Sequence, residues 1–177
     1  MARELFRIAA NGQVYGPRIW WPIHVVVRGR FNQATMEGVI TAKDRWETPE
    51  EVFRPLAQEF GFTLDACAEH HTAKCRRYYT EAEDGLNRPW AGEVVWCNPP
   101  YSHGNIGRWM QKCAEESERG VTVVALIPAA TSSRWFHAWV YGKAELRFLS
   151  RRVRFVGGTG PAPFHSIVAV FRGKDAA

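Results

Sequence analysis

The chain has 177 residues, 46% of them apolar and 13% aromatic, which excludes a disordered tail and suits one α/β domain better than two. Its net charge of +5 and pI near 9.2 form a moderate basic bias that fits a polyanionic partner. No apolar run is long enough to span a bilayer, and Met1-Ala2-Arg3-Glu4 lacks the apolar core of a signal peptide, so a cytoplasmic protein with four reduced cysteines is expected.

Residues 1–45 read as an N-terminal extension, with Trp20-Trp21 preceding a strand over Ile23 to Val27. Organisation sharpens at Trp46, where the main domain, 46–177, begins. In Thr48-Pro49-Glu50-Glu51, Thr48 is the expected N-cap, Pro49 the first helical residue and Glu51 the closure of a capping box. The helix carries Val52, Phe53, Leu56 and Phe60 on one face, and Pro55 predicts a kink or an early end. A short strand over Phe62 to Asp65 follows, then a helix or loop to Tyr79, then a polar connection through Asp84-Gly85-Leu86 to Trp90.

Glu93 to Cys97 reads as a strand and Ile106 to Glu118 as an amphipathic helix. Val121 to Ile127 is a buried strand closed by Pro128. Ser132 or Ser133 caps a helix reaching Val140, and Ala144 to Leu149 is another strand. Val153 to Val156 and Ile167 to Phe171 make an antiparallel pair around the loop Gly157 to Pro163. Strands alternating with helices and ending in a hairpin predict an α/β fold with a mostly parallel central sheet and an antiparallel C-terminal hairpin.

Charge is unevenly placed. Arg134, Lys143, Arg147, Arg151, Arg152 and Arg154 face only Glu145 over their stretch, whereas the centre holds Glu47, Glu50, Glu51, Glu59, Asp65, Glu69, Glu81, Glu83 and Asp84. A basic flank beside an acidic centre fits an anionic polymer next to a pocket for a cationic small molecule. Cys67, His70, His71 and Cys75 have a spacing that invites a zinc reading, but no second pair such as C-x-x-C accompanies them, so no metal site is expected.

The segment with the most chemistry is Asn98-Pro99-Pro100-Tyr101, directly after the apolar run Val94-Val95-Trp96-Cys97. Two prolines fix φ and remove N–H donors, leaving acceptors: the Asn98 side-chain oxygen and the Pro99 carbonyl. Such a pair suits two N–H groups on one atom, as in the exocyclic amine of a nucleobase, and Tyr101 adds a face on which a base can stack. The other reading is a tight turn, which Asn-Pro commonly starts.

The order Trp46-Glu-Thr-Pro-Glu, Leu64-Asp65-Ala66-Cys67-Ala68, Asn98-Pro99-Pro100-Tyr101 resembles the compact phage-type DNA N6-adenine methyltransferases. Asp84-Gly85-Leu86, Trp90, Trp109 and Pro163-Phe164 extend the resemblance, which runs from about Trp46 to Phe171. It implies a Rossmann-like methyltransferase fold, S-adenosyl-L-methionine as cofactor and DNA as partner. On this resemblance Asn98, Pro99, Pro100 and Tyr101 form the catalytic turn. Trp46, Thr48, Pro49, Asp65, Ala66, Cys67 and Asp84 hold the cofactor, with helix capping as the other reading of Thr48 and Asp65 and a loop carboxylate that of Asp84. Arg147, Arg151, Arg152 and Arg154 hold phosphates, and Trp135, Phe136 and Phe164 are further candidate contacts, with core packing the better reading for two of these three.

Asp65-Ala66-Cys67-Ala68 stands where many cofactor-binding turns carry glycines, and S-adenosylmethionine has no phosphate to cradle. Only 32 residues separate Asp65 from Asn98, too few for an inserted target-recognition domain. The same turn chemistry can also serve cytosine N4, an RNA adenine or a protein glutamine amide. A different class of reading is a nucleic-acid-binding module of this fold without catalysis.

Overall fold

The structure is a computed structural model that describes residues 46–101 and 104–174, together with the backbone of residues 7–8 and 14–15. The expected strand at Ile23–Val27 and the pair Trp20-Trp21 lie outside the described residues. The chain divides into two compact units, Met1–Thr35 and Met36–Ala177. In the first, β1 (Arg7–Ile8) pairs antiparallel with β2 (Val14–Tyr15).

In the second unit, α1 (Glu50–Phe60) leads to β3 (Leu64–Asp65), β4 (Arg77–Tyr78) and β5 (Val94–Cys97). Then come α2 (Asn105–Glu118), β6 (Thr122–Pro128), α3 (Arg134–Trp139), β7 (Glu145–Phe148) and β8 (Ser166–Phe171). These strands form one six-stranded sheet in the order β4-β3-β5-β6-β8-β7. The ladders from β4 through β6 are parallel, and β8 runs antiparallel between β6 and β7.

Alternation along the strands sorts side chains onto two faces. Leu64, Val95, Cys97, Val123, Ala125, Ile127, Ile167, Ala169 and Phe171 pack with Met110 and Cys113 of α2 and Phe136 of α3. Trp96, Val124, Leu126, Val168 and Val170 pack on the other face with Phe53 and Leu56 of α1, Val153 and Phe155. All six residues of β8 are buried, so its apolar run sits inside the sheet, while β7, with exposed Glu145 and Phe148, takes the edge.

Four local expectations are corrected. Helix α1 starts at Glu50 with Pro49 as its cap and no side-chain cap bond, so the capping box of Thr48 and Glu51 does not form. It continues through Pro55, which is exposed, and ends where Gly61 adopts φ 65°. The stretch before Tyr79 contains β4, which its two-residue length hides from a pattern search. The antiparallel partner of β8 at the edge is β7, not Val153–Val156. That segment instead crosses the α1 face, burying Val153 and Phe155, and Val156 makes a single bridge to Glu47.

Candidate active site

In the strand order, β3 leads outward to β4, and the chain then returns to place β5 on the other side of β3. This reversal opens a crevice past the carboxyl ends of β3 and β5, the usual ligand position in open α/β sheets. Asp65 ends β3 and Asn98 follows β5, so the two best sequence candidates stand at its two lips. A cleft of about 250 Å³ lies there, lined among others by Trp46, Thr48, Asp65, Ala66, Cys67, Asp84, Asn98 and Pro100.

Asp65 is only 3% exposed. Its carboxylate accepts from the backbone N–H of Cys67 at 3.3 Å and of Lys74 at 3.0 Å. No helix begins there; the carboxylate pins the loop that carries Ala66 to Lys74. Burial raises its carboxyl to about 6, against the pull of those two N–H groups. Lys74, reaching Glu47 and Glu50 at 2.9 Å each, ties the same loop to the start of α1.

Thr48 is 2% exposed, and its Oγ1 has no hydrogen-bond partner among the described residues. An orphaned buried hydroxyl lining a cleft is an unmet bond that a ligand can complete.

The far wall depends on Gly85. A Cβ there would collide with the Ala66 carbonyl oxygen and lie 3.2 Å from the Trp109 ring. The fully buried Trp90 donates its indole N–H to the Gly85 carbonyl at 3.0 Å. Asp84, at φ 52°, is the sole positive-φ non-glycine among the described residues, and it accepts from Asn87 at 2.6 Å. The short 3₁₀ turns Glu81–Glu83 and Gly85–Asn87 thus bring Asp84 and Glu81 to the rim.

At the opposite lip, Asn98 Nδ2 donates to the Trp46 carbonyl at 2.8 Å, which fixes which way the carboxamide points. The Tyr101 hydroxyl lies 2.7 Å from Asn98 Oδ1 and 3.1 Å from the Leu126 carbonyl, two acceptors for one hydrogen. Burial holds Tyr101 well above its ordinary pKa, so it stays a donor. Tyr101 meets Phe164 edge-on at 5.5 Å and Phe155 at 6.3 Å, while Trp46 stacks on Phe155 at 4.9 Å. Pro99 is buried beneath the turn.

The basic candidates separate. Arg147 is held by both carboxylate oxygens of Glu59, at 2.6 and 2.7 Å, and by Glu145 at 2.7 Å. It joins the end of α1 to β7, and its hydrogen-bonding edge faces protein, where a free phosphate donor was expected. Arg151, Arg152 and Arg154 are exposed, without ion pairs among the described residues. Arg152 and Arg154 alternate with the buried Val153 and Phe155, so they stand on the outer side of the segment whose inner side backs Trp46.

Residues 37–165 match the DNA N-6-adenine-methyltransferase (Dam) family. The chain belongs to this family. It is 35% identical over 106 residues to a protein of Escherichia phage T1 named DNA N-6-adenine-methyltransferase, a match covering 59% of this chain and 44% of that one. A protein of the same name from Haemophilus phage HP1 is 32% identical over 117 residues, covering 64% of this chain and 67% of that one. The chain thus spans less than half the length of the phage T1 relative. The matched region contains the whole cleft.

Eight of the eleven expected catalytic and cofactor residues line that cleft; Pro49, Pro99 and Tyr101 are not among its lining residues. Sequence reasoning missed Glu47, Thr72, Lys74 and Phe155 as parts of the site. For Phe155 a signal existed: the in-out alternation of Arg152, Val153, Arg154 and Phe155 marks an inward aromatic. Trp135 and Phe136 pack edge-on against each other in the α2–α3 core, and Phe164 packs in the aromatic group beside Asn98. None of the described helices is long and apolar enough to cross a membrane.

Proposed function

We propose that this chain transfers a methyl group from S-adenosylmethionine to the N6 amine of adenine in DNA, on a Rossmann-like methyltransferase fold, in the cytoplasm of a bacterium or phage-infected host. The reading is carried by one juxtaposition: the oriented acceptor Asn98 Oδ1 shares a cleft with the carboxylates of Asp65, Asp84 and Glu81. Bound there, the cofactor would supply an electrophilic methyl on a sulfonium.

The cleft suits it. The carboxylates complement a cation, Trp96, Trp109 and Leu86 offer apolar surface, and the Thr48 hydroxyl awaits a partner. Asp65, Ala66 and Cys67 form one wall and Trp46 with Thr48 the other; Pro49 caps α1 behind them.

The amine of adenine is a weak nucleophile because its lone pair is delocalised into the ring. Asn98 Oδ1 and the Pro99 carbonyl would accept from its two hydrogens, favouring a tetrahedral nitrogen with the pair localised. Donation from Tyr101 and the bond to Trp46 lock the carboxamide, so little reorientation remains for the moment of reaction. No strong base is required, because the amine becomes acidic only as its new bond forms. The base would have to leave the duplex to reach the turn, at a cost of about a few kcal/mol. Trp46, which lines the cleft and is backed by Phe155, would supply an aromatic lining that offsets part of it. Arg151, Arg152 and Arg154 would hold phosphates beside that lining.

The decisive experiment is transfer of labelled methyl to unmethylated DNA, followed by nucleoside mass analysis, with Asn98→Ala alongside. N6-methyladenine from the wild type is expected. Asn98→Ala should lose at least about 100-fold in rate with cofactor affinity unchanged. Label in N4-methylcytosine would change the substrate base, and lost cofactor binding in Asn98→Ala would reassign Asn98 to structure.

A further inference from the structure

Outside the cleft, three large apolar side chains are exposed among the described residues: Tyr141 at 66%, Phe148 at 75% and Val156 at 51%. Single exposed apolar residues are ordinary on a protein surface, so position decides which of them matters. Val156 is bridged to Glu47, beside the cleft. Tyr141 precedes β7, which starts at Glu145, and so stands towards the amino edge of the sheet. Phe148 closes β7, which runs parallel to β6 and β5, and therefore stands at the same carboxyl edge as Asn98.

Strand register fixes how far apart the two residues are. Cys97 pairs with Ala125, which sets Asn98 level with Leu126 and hence with Val168 and Arg147. Phe148 is three strands across and one residue further along, roughly 15 Å from Asn98 between Cα atoms. On its own side of the sheet the helix layer covers Leu146, two residues back, but leaves Phe148 open. The surroundings carry one sign of charge. From Arg119 to Lys174 the sole acid is Glu145, which lies at the other end of β7 and is held by Arg147 and Arg172. The segments that meet the carboxyl edge expose Arg151 and Arg152 after β7, Arg134 at the start of α3 and His165 before β8. An open aromatic ring on a basic edge free of acids has the chemistry of a surface that meets nucleic acid.

We propose that Phe148 inserts into the DNA base stack and fills the gap left when the target adenine turns out towards Asn98. The proposal rests on the adenine reading above and adds a contact which that reading does not require, since Phe148 takes no part in methyl transfer or in holding the cofactor. A base turned out by about 180° and the gap it leaves lie on opposite sides of one sugar-phosphate backbone. The span from Asn98 to Phe148 straddles such a backbone, with Arg151 and Arg152 at hand for its phosphates. An apolar ring in the gap restores stacking that the departing base removes, so the open duplex is less unfavourable. The base stack is then the layer that covers the ring.

The test compares Phe148→Ala with the wild type on two duplexes, built once methylation of unmodified plasmid DNA has located a target adenine. In one duplex that adenine faces thymine. In the other it faces a pyrene nucleotide, whose wide ring occupies the stack and leaves the adenine no room there. Phe148→Ala should lose on the order of tenfold in kcat/KM on the first duplex. On the second it should come within about threefold of the wild type, because the base is already out and the gap already filled. Phe148→Leu, still an apolar wedge, should keep most of the wild-type rate on both. Tyr141→Ala, at the other edge, should match the wild type throughout. The melting temperature and cofactor affinity of Phe148→Ala should equal the wild-type values, and its salt dependence of DNA binding should be unchanged because no charge is removed. Equal losses on the two duplexes, or no loss on either, would overturn the insertion and leave the functional reading intact. A lowered melting temperature with the loss unrelieved by pyrene would make Phe148 structural and overturn it as well. Absence of wild-type transfer to any adenine would bring down the functional reading and this contact with it.

Discussion

The cleft and the segment that borders it differ in how tightly their charges are held. On the cleft side each key carboxylate is placed by backbone. Asp65 is bound by two N–H groups and Asp84 sits at an unusual positive φ between two 3₁₀ turns. On the basic side Arg151, Arg152 and Arg154 project from an extended stretch with no partner among the described residues. Rigid carboxylates suit a small ligand that must be held in one geometry. Loosely held arginines suit a polymer whose phosphates need charge more than position.

The cleft should be the more easily broken of the two. Gly85→Ala drives a methyl group into the Ala66 carbonyl, which is backbone and cannot swing away. We expect a loss of at least about 3 kcal/mol in stability, read from the urea midpoint, with cofactor binding lost in parallel. A variant of normal stability would show that the Ala66 loop is softer than its contacts imply.

Acidity sharpens the contrast further. Asp65 is raised to about 6 in the folded protein, above the unfolded value near 4. The folded state therefore favours its protonated form. The contribution to stability is fully present below roughly pH 4 and is lost as pH rises through about 6, on the order of 3 kcal/mol in the free protein. A cationic ligand offsets that loss by favouring the carboxylate. The melting-temperature gain from S-adenosylmethionine should consequently grow as pH rises from about 5 to 7. A gain that stays flat through that window would remove Asp65 from the cation's surroundings.

How much of this could be read from the sequence depends on what kind of signal each element carries. Strand β5 and its turn were legible because four apolar residues and two prolines restrict the backbone locally. Helix α2 was legible from its spacing of Ile106, Trp109, Met110 and Cys113. The cap of α1 was misplaced by one residue: the same letters place a capping box on Thr48 or, shifted by one, a Pro49 cap with the threonine hydroxyl turned inward. Only packing decides between them. Strand β4 and the course of Val153–Val156 are also products of packing, since two residues carry no periodicity and an apolar alternation does not say which partner it will find. Arg147 failed for a related reason. A sequence shows its charge but not that Glu59, 88 residues away, will meet it.

That last pair gives the finest test of the comparison, because Arg147 and Arg151 lie four positions apart with opposite expected roles. Arg151→Ala combined with Arg152→Ala should leave stability within about 0.5 kcal/mol of the wild type. It should reduce the slope of log affinity for DNA against log salt by about 2. Arg147→Ala should do the reverse. It should cost only about 1 kcal/mol of stability, because the pair with Glu59 is partly exposed and screened, and it should leave the salt slope unchanged. If Arg147→Ala flattens the slope while the double variant does not, the phosphates run along the β7 edge. The loosely held arginines beside the aromatic lining would then have no part in binding.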